Sequence, residues 1–339
     1  MRLLLAAAFM ILAQQAGASV WPVNQAWSTA NEHKYSTWVE QNWTQDIFKK
    51  GILNGLETDC ADATYAMRAL YSYENGLPFR VSSKNGEVWG EDTREFDSVS
   101  DSRERFRRFL KKMFDLTNTS TLGQDTYPVS LSRESLRAGT VYVEPNEHSY
   151  QIVGLTPEGV PVLLNSTTPK MGRVLFRTLS FPFYRPESKS FSDGYRAFRW
   201  PEELGVPVRT IKRANFGQYA VTGNVLEFAE KARRVLQLRD ETLAQRIDRE
   251  LTNVCYFARE RAFLVVKAHL KRTDQPGQCL RGSVLEDHST VIRDRRLTEY
   301  FQSLRSLRSD PRWETLDSSH RKTLLAIFIP GLVQGQASV

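Results

Sequence analysis

Three residues of this chain have the types and spacing for thiol chemistry. Hydrolysis through a thiol needs a cysteine acidified by its surroundings, an imidazole to take and return the proton, and a polar group that orients the ring. Cys60, in the stretch TDCADATYAMRALYSYENGLPF, stands at the start of a helical pattern. There the unpaired N–H groups and the macrodipole lower a thiol pKa. Asp59 and Asp62 oppose this effect, so a nearby imidazolium must supply most of the activation. Four of the five histidines, His33, His269, His288 and His320, fall in helical or irregular polar contexts, whereas His148 opens a strand. An antiparallel hairpin turning at Thr156-Pro157-Glu158-Gly159 brings position 165 within about two residues of facing position 148. Asn165 is thus the candidate orienting group, its carbonyl accepting from one ring nitrogen while the other faces the thiol. The triplet Asn165-Ser166-Thr167 also reads as a strand-ending turn or a glycosylation sequon, and sequons occur at Asn42 and Asn118 as well. Asn54, six residues before Cys60, is the candidate oxyanion-hole donor beside the Cys60 N–H.

The other two cysteines bear on the same question. Cys255 and Cys279 lie 24 residues apart around a helical stretch and the turn-like Thr273-Asp274-Gln275-Pro276-Gly277, which predicts a local disulfide. Cys60 is then left unpaired, either as a nucleophile or as a small buried thiol. The spacings HxxxH and HExxH are absent, as is a glycine-rich phosphate loop, so neither a metal nor a cofactor is expected.

The positioning elements follow from periodicity. Asn31 to Leu53 carries aromatic and aliphatic residues at largely helical spacing, and the Cys60 helix runs from a Thr58 or Asp59 cap to a stop at Asn75-Gly76. An amphipathic basic helix spans Ser102 to Leu116, its Arg and Lys residues forming a solvated face. Period-two patterns then predict strands at 140–143, 148–155 and 160–165. From Asn224 the pattern is helical and charged to about Ile329. The expected organisation is a signal segment at 1–18, a core with an N-terminal helix at 19–180, a Pro- and aromatic-rich connection at 181–223, and a helical region at 224–339.

The opening residues MRLLLAAAFMILAQQAGAS combine one basic residue, an apolar run and the small-x-small site Ala16-Gly17-Ala18, the pattern of a secretory signal cut before Ser19. An exported, periplasmic or secreted protein without a later membrane span is expected. The formal charge of +7 loses one arginine with residues 1–18 and leaves +6. That balance suits anionic surroundings such as a cell wall. Nucleic acid is excluded as the expected partner, because no Lys/Arg block is interleaved with aromatics.

The order and spacing of these residues resemble the papain-like core of NlpC-type cell-wall peptidases and bacterial transglutaminase-like proteins. Asp59-Cys60, Ala138-Gly139-Thr140 and His148 occupy the places of the NlpC-type Asp-Cys pair, pGD element and strand-opening histidine. CADATYAMRALYSYENGLPFRV and LLNSTTP are similar to the cysteine helix with its Gly-x-Pro stop, and to the strand ending in Asp-Pro-Thr, of transglutaminase-like proteins. The resemblance covers roughly Thr58 to Pro169. It departs from the pattern where Ala61 follows the cysteine, Thr140 replaces an Asp and Asn165 stands where an Asp is kept. It implies an α+β fold with a papain-like core and an antiparallel sheet, followed by a mostly helical C-terminal region. The implied activity is that of a monomeric cysteine hydrolase cutting peptide or isopeptide amides, in peptidoglycan stem peptides above all. Cys60 attacks, His148 acts as base and then acid, and Asn165 orients it. A transglutaminase-like acyl transferase and a non-catalytic envelope-binding or scaffold protein of the same fold are the alternatives.

Overall fold

The computed structural model describes residues 19–144, 147–182, 184–187, 189–273, 279–288 and 291–327. The signal-segment reading of residues 1–18 lies outside them. Helix α1 (Thr29–Asn42) starts on a Ser28 cap, whose side chain accepts from the Asn31 N–H. It stops earlier than its sequence period predicts. Trp43 leaves the helix to bury its ring and donate from Nε1 to Gln151 Oε1 at 3.1 Å, and two single 3-10 turns carry the chain on to Leu53.

Helix α2 (Cys60–Asn75) is set by its ends. Asp59 accepts from the Asp62 N–H and Asp62 accepts from the Asp59 N–H, a reciprocal cap. Gly76 closes the helix in the left-handed region at φ 58, where a side chain is disfavoured. Every residue from Cys60 to Ser72 is buried, so α2 is a central helix covered on all sides. Helix α3 (Ser102–Leu116) spans the predicted range and buries Phe106, Phe109, Leu110, Met113 and Phe114. Helix α4 (Thr119–Gln124) is a short turn after it.

Strands β1 (Arg80–Ser82) and β2 (Val88–Gly90) form a small hairpin. The main sheet contains β3 (Thr126–Pro128), β4 (Val141–Glu144), β5 (His148–Leu155), β6 (Pro161–Asn165), β7 (Phe176–Leu179) and β8 (Gly194–Phe198). Its order is β3-β8-β4-β5-β6-β7, antiparallel at every pairing. The segment 181–223 therefore does more than connect, since it supplies β8, an interior strand between β3 and β4.

Alternation along the strands assigns the two faces. Val141, Val143 and Leu164 pack into one cluster with Ala63, Met67 and Leu70 of α2 and the apolar face of α3. Tyr142, Tyr150, Ile152, Leu163 and Tyr195 point the other way, into a second cluster that takes Phe228 and Leu236 from α5 (Val225–Leu236). A third cluster joins α6 (Leu243–Thr273) to α8 (Val291–Ser306) and α9 (Ser318–Ile327), through Leu243, Ile247, Phe257, Tyr300, Leu304 and Leu324. The short α7 (Gly282–His288) lies between α6 and α8 in the chain. Helix α6 meets the sheet edge where Asn253 Nδ2 donates to the Leu179 carbonyl at 2.9 Å. The chain is thus α+β, with about 49% helix and antiparallel sheets. Among the described residues, no helix is long and apolar enough to cross a membrane.

Candidate functional site

The reciprocal cap places Cys60 on the first turn of α2, against the sheet. Its thiol is buried, with the residue 7% exposed. Ser149 of β5 lies beside it. The same serine hydroxyl is 3.1 Å from Thr64 Oγ1, and Gln151 Nε2 donates to Thr64 Oγ1 at 3.0 Å. Ser149 and Gln151 therefore define the face of β5 that α2 covers. Burial, followed by the negative charge of Asp59, pushes the Cys60 thiol up to about 12, against the opposing hydrogen bonds of Ser149 and with further repulsion from Asp62. Asp62 is itself completely buried, and burial with the Asp59 charge raises its carboxyl even though Lys170 Nζ lies at 2.9 Å. The surroundings of the thiol are thus acidic, the reverse of what a nucleophilic cysteine requires.

His148 is the residue before Ser149 and so projects from the opposite face. Its ring packs edge-on against Tyr150 with centroids 4.5 Å apart. Arg296 of α8 lies over Tyr150 at 5.9 Å and reaches Glu144, the cross-strand neighbour of His148, at 2.6 Å. Arg293 donates to Thr167 Oγ1 and the Thr168 carbonyl, both at 3.0 Å, and lies 3.3 Å from Glu260. Burial first, then the charges of Arg296, Arg293 and Arg173, hold the His148 imidazole well below its usual pKa. It is therefore a neutral ring in an arginine-rich layer.

The structure brings together two of the three candidate residues and separates the third. Asn165 Nδ2 lies 2.9 Å from His148 Nε2 and also 3.2 Å from the Ser166 carbonyl. The amide therefore donates to the ring, a polarity opposite to that of an orienting acceptor, and the Nε2 lone pair is occupied. Among the described residues no hydrogen bond joins Cys60 to His148, and the β5 residue beside the thiol is Ser149. The expected thiol–imidazole hydrogen bond is not formed, α2 packing on the Ser149 face of β5 while His148 alternates to the other.

Asn54 is exposed, and its backbone carbonyl accepts from Arg107 at 2.9 Å. The expected Cys255–Cys279 disulfide is corrected too. Cys255 and Cys279 are both exposed and free. The helix runs on to Thr273, so Cys255 lies some 27 Å from its end at ~1.5 Å per residue. A bridge would need the six residues to Cys279 stretched back along it. Among the described residues, no group of three or more His, Cys, Asp or Glu side chains is placed to hold a metal ion. Arg173, Arg293 and Arg296 were not singled out from sequence. Arg293 and Arg296 lie far along the chain from β5 and Arg173 follows the next strand, so only the folded layer gathers them.

The His148 site predicts a pH response. The folded pKa is depressed, so below about 6.5 the unfolded chain takes up a proton that the folded one refuses. Stability contributed here is complete above that pH and falls by about 1.4 kcal/mol per unit below it, down to the folded pKa. Urea midpoints at pH 7.5 and 5.5 should show this loss in the wild type and its absence in His148→Gln. An equal acid loss in both proteins would discard the assignment.

A separate cleft of about 630 Å³ opens beside β1–β2, α4 and the end of β8. Ser82, Thr119, Ser190, Ser192, Arg196 and Arg199 are among the residues that line it. Arg199 donates to the Thr126, Glu203 and Val206 carbonyls. The lining contains no carboxylate, histidine or cysteine. Phe191 sits on its wall at φ 54, a left-handed backbone rarely adopted by a bulky residue. Its carbonyl is held by Arg196 and its ring by Phe216 and Tyr219, at centroid distances of 5.0 and 4.9 Å. Compared with protein-family models, curated proteins and solved structures, the chain matches none.

Proposed function

We propose that this chain is a non-catalytic, exported binding protein, built on a papain-like core whose cysteine serves packing. The observation that carries the reading is the placement of Cys60 and His148 on opposite faces of β5, with the thiol raised and the imidazole neutral. A cysteine-headed helix lying on an antiparallel sheet supports the papain-like description, with the reactive pair undone by one residue of register. The cleft near Ser190 is the ligand site. Its serine and threonine residues and the partly exposed Arg199 suit a polar, acidic envelope polymer such as peptidoglycan with its stem peptides, and its lining offers no general acid or base.

Sedimentation with purified peptidoglycan, with released fragments followed by mass spectrometry, tests this. Wild type and Cys60→Ala should co-sediment equally and release nothing, whereas Ser190→Trp, which fills the cleft from an exposed position, should weaken binding at least about tenfold. Fragment release by wild type but not by Cys60→Ala would restore the hydrolase reading. Unaltered binding by Ser190→Trp would remove the cleft as the ligand site.

A further inference from the structure

We propose that the junction of α5, α6 and α8 with the sheet is a binding site for a small oxyanion of the phosphate class. The inference is independent of the cleft and of the reading given above. A cavity of about 150 Å³ lies there, room for about five waters at ~30 Å³ each or for one tetrahedral oxyanion with its hydration. Arg233, Arg246 and Arg249 line it with Ser180, Tyr300 and Ser303.

Two of the three guanidiniums are already committed. Arg249 forks onto Glu241 at 2.7 and 3.0 Å, with both side chains almost wholly buried. Arg233 pairs with Glu230 at 2.8 Å and also reaches Gln237. Arg246 differs. Among the described residues its side chain makes no hydrogen bond or ion pair, and its Nε is sealed from solvent without an acceptor. A buried guanidinium donor left without an acceptor is rare in folded proteins, and each instance calls for a partner. The two carboxylates on the wall feel the Arg246 charge, which favours their ionised forms, but among the described residues neither accepts a hydrogen bond from it. Glu230 is taken by Arg233 and Arg234, and Glu250 lies against Arg249 at 3.4 Å. Burial raises the Glu250 carboxyl, against the lowering charges of Arg249 and Arg246.

The lining thus sets three guanidiniums against two carboxylates, with the hydroxyl-bearing Ser180, Tyr300 and Ser303 beside them. That set matches an acceptor-only, multi-oxygen anion, which a fork can grip through two oxygens at once. Such an ion would also join the elements around it, since Arg233 comes from α5, Arg246 and Arg249 from α6, Tyr300 and Ser303 from α8, and Ser180 from the end of β7. Bound only by the assembled junction, it stabilises the packed state by mass action.

The full chain is titrated calorimetrically with inorganic phosphate and with glycerol phosphate, against potassium chloride at matched ionic strength, and thermal unfolding is followed in the same solutions. Saturable phosphate binding and a saturable rise in melting temperature, both missing in chloride, are expected. Arg246→Met, which keeps the stem and loses the fork, should unfold at the wild-type temperature in chloride and bind phosphate at least about tenfold more weakly. Tighter binding of glycerol phosphate would identify an ester headgroup as the source, and tighter inorganic phosphate the free ion. Absence of saturable binding by wild type overturns the site whatever the variant does. Undiminished binding by a folded Arg246→Met overturns it as well.

Discussion

Iodoacetamide applied to the folded protein at pH 8 is expected to label Cys255 and Cys279 and to leave Cys60 untouched. The first two are exposed, whereas Cys60 is buried. A thiol raised from 9.0 to about 12 has, at that pH, about 1,000-fold less of the thiolate that does the alkylating. Burial of the sulfur beneath β5 slows the reagent further. Urea should remove both barriers together, so that all three cysteines label at similar rates once the chain unfolds. Peptide mapping of the labelled chain reads this directly. Labelling of native Cys60 at the rate of the exposed pair would sink the packing role and return the helix end to the status of an active site.

The largest single effect on stability is expected from Arg68→Met. Arg68 is 2% exposed on α2, and its two terminal nitrogens meet the Glu32 oxygens of α1 at 3.0 and 2.6 Å. Its guanidinium carbon lies 3.2 Å from the centre of the Trp27 ring and 4.6 Å from that of Tyr35. Trp200 adds a hydrogen bond to Glu32 at 2.8 Å. Burial works to raise the Glu32 carboxyl, but the Arg68 charge and the hydrogen bonds of Arg68 and Trp200 outweigh it, leaving the pKa below its usual value. Removing the cation alone strands a buried carboxylate and should cost about 3–5 kcal/mol, measured as a shift of the urea midpoint at pH 7.5.

The sign of the pH dependence follows. In the wild type the depressed Glu32 pKa contributes stability that is present above about 4.5 and lost as pH falls toward the folded value. In Arg68→Met the stranded carboxylate is relieved by taking up a proton. The gap between the two proteins should therefore narrow on acidification. Glu32→Leu combined with Arg68→Met removes both charges and should recover most of the loss. A single-variant penalty below about 1 kcal/mol would mean that the pair contributes little beyond packing.

Much of the architecture is written in local chemistry. Asp59, Asp62 and Gly76 mark both ends of α2, and each acts on backbone groups within one turn of itself. The amphipathic run of Ser102 to Leu116 yields α3 over that same span. The turn at 156–159 sets the β5–β6 hairpin, and with it the approach of Asn165 to His148. Interactions that close over a few residues can be read from spacing. Strand β8 could not be, because a Pro- and aromatic-rich segment gives no sign that five of its residues will insert between β3 and β4.

The candidate site divides along the same line. By itself the sequence determined that a cysteine begins a helix, that a histidine begins a strand, and that an asparagine lies across the hairpin from it. Only the tertiary structure decided which side of β5 receives α2. His148, Ser149, Tyr150 and Gln151 are all buried and all polar or amphipathic, so alternation along this strand carries no hydrophobic signal to tell its faces apart. The choice fell to what covers each side. Thr64 and Gln151 bind beneath α2, while Arg293 and Arg296 arrive from a helix more than a hundred residues further along the chain. With side chains alternating every residue, that one decision carried the thiol and the imidazole to opposite faces of the strand.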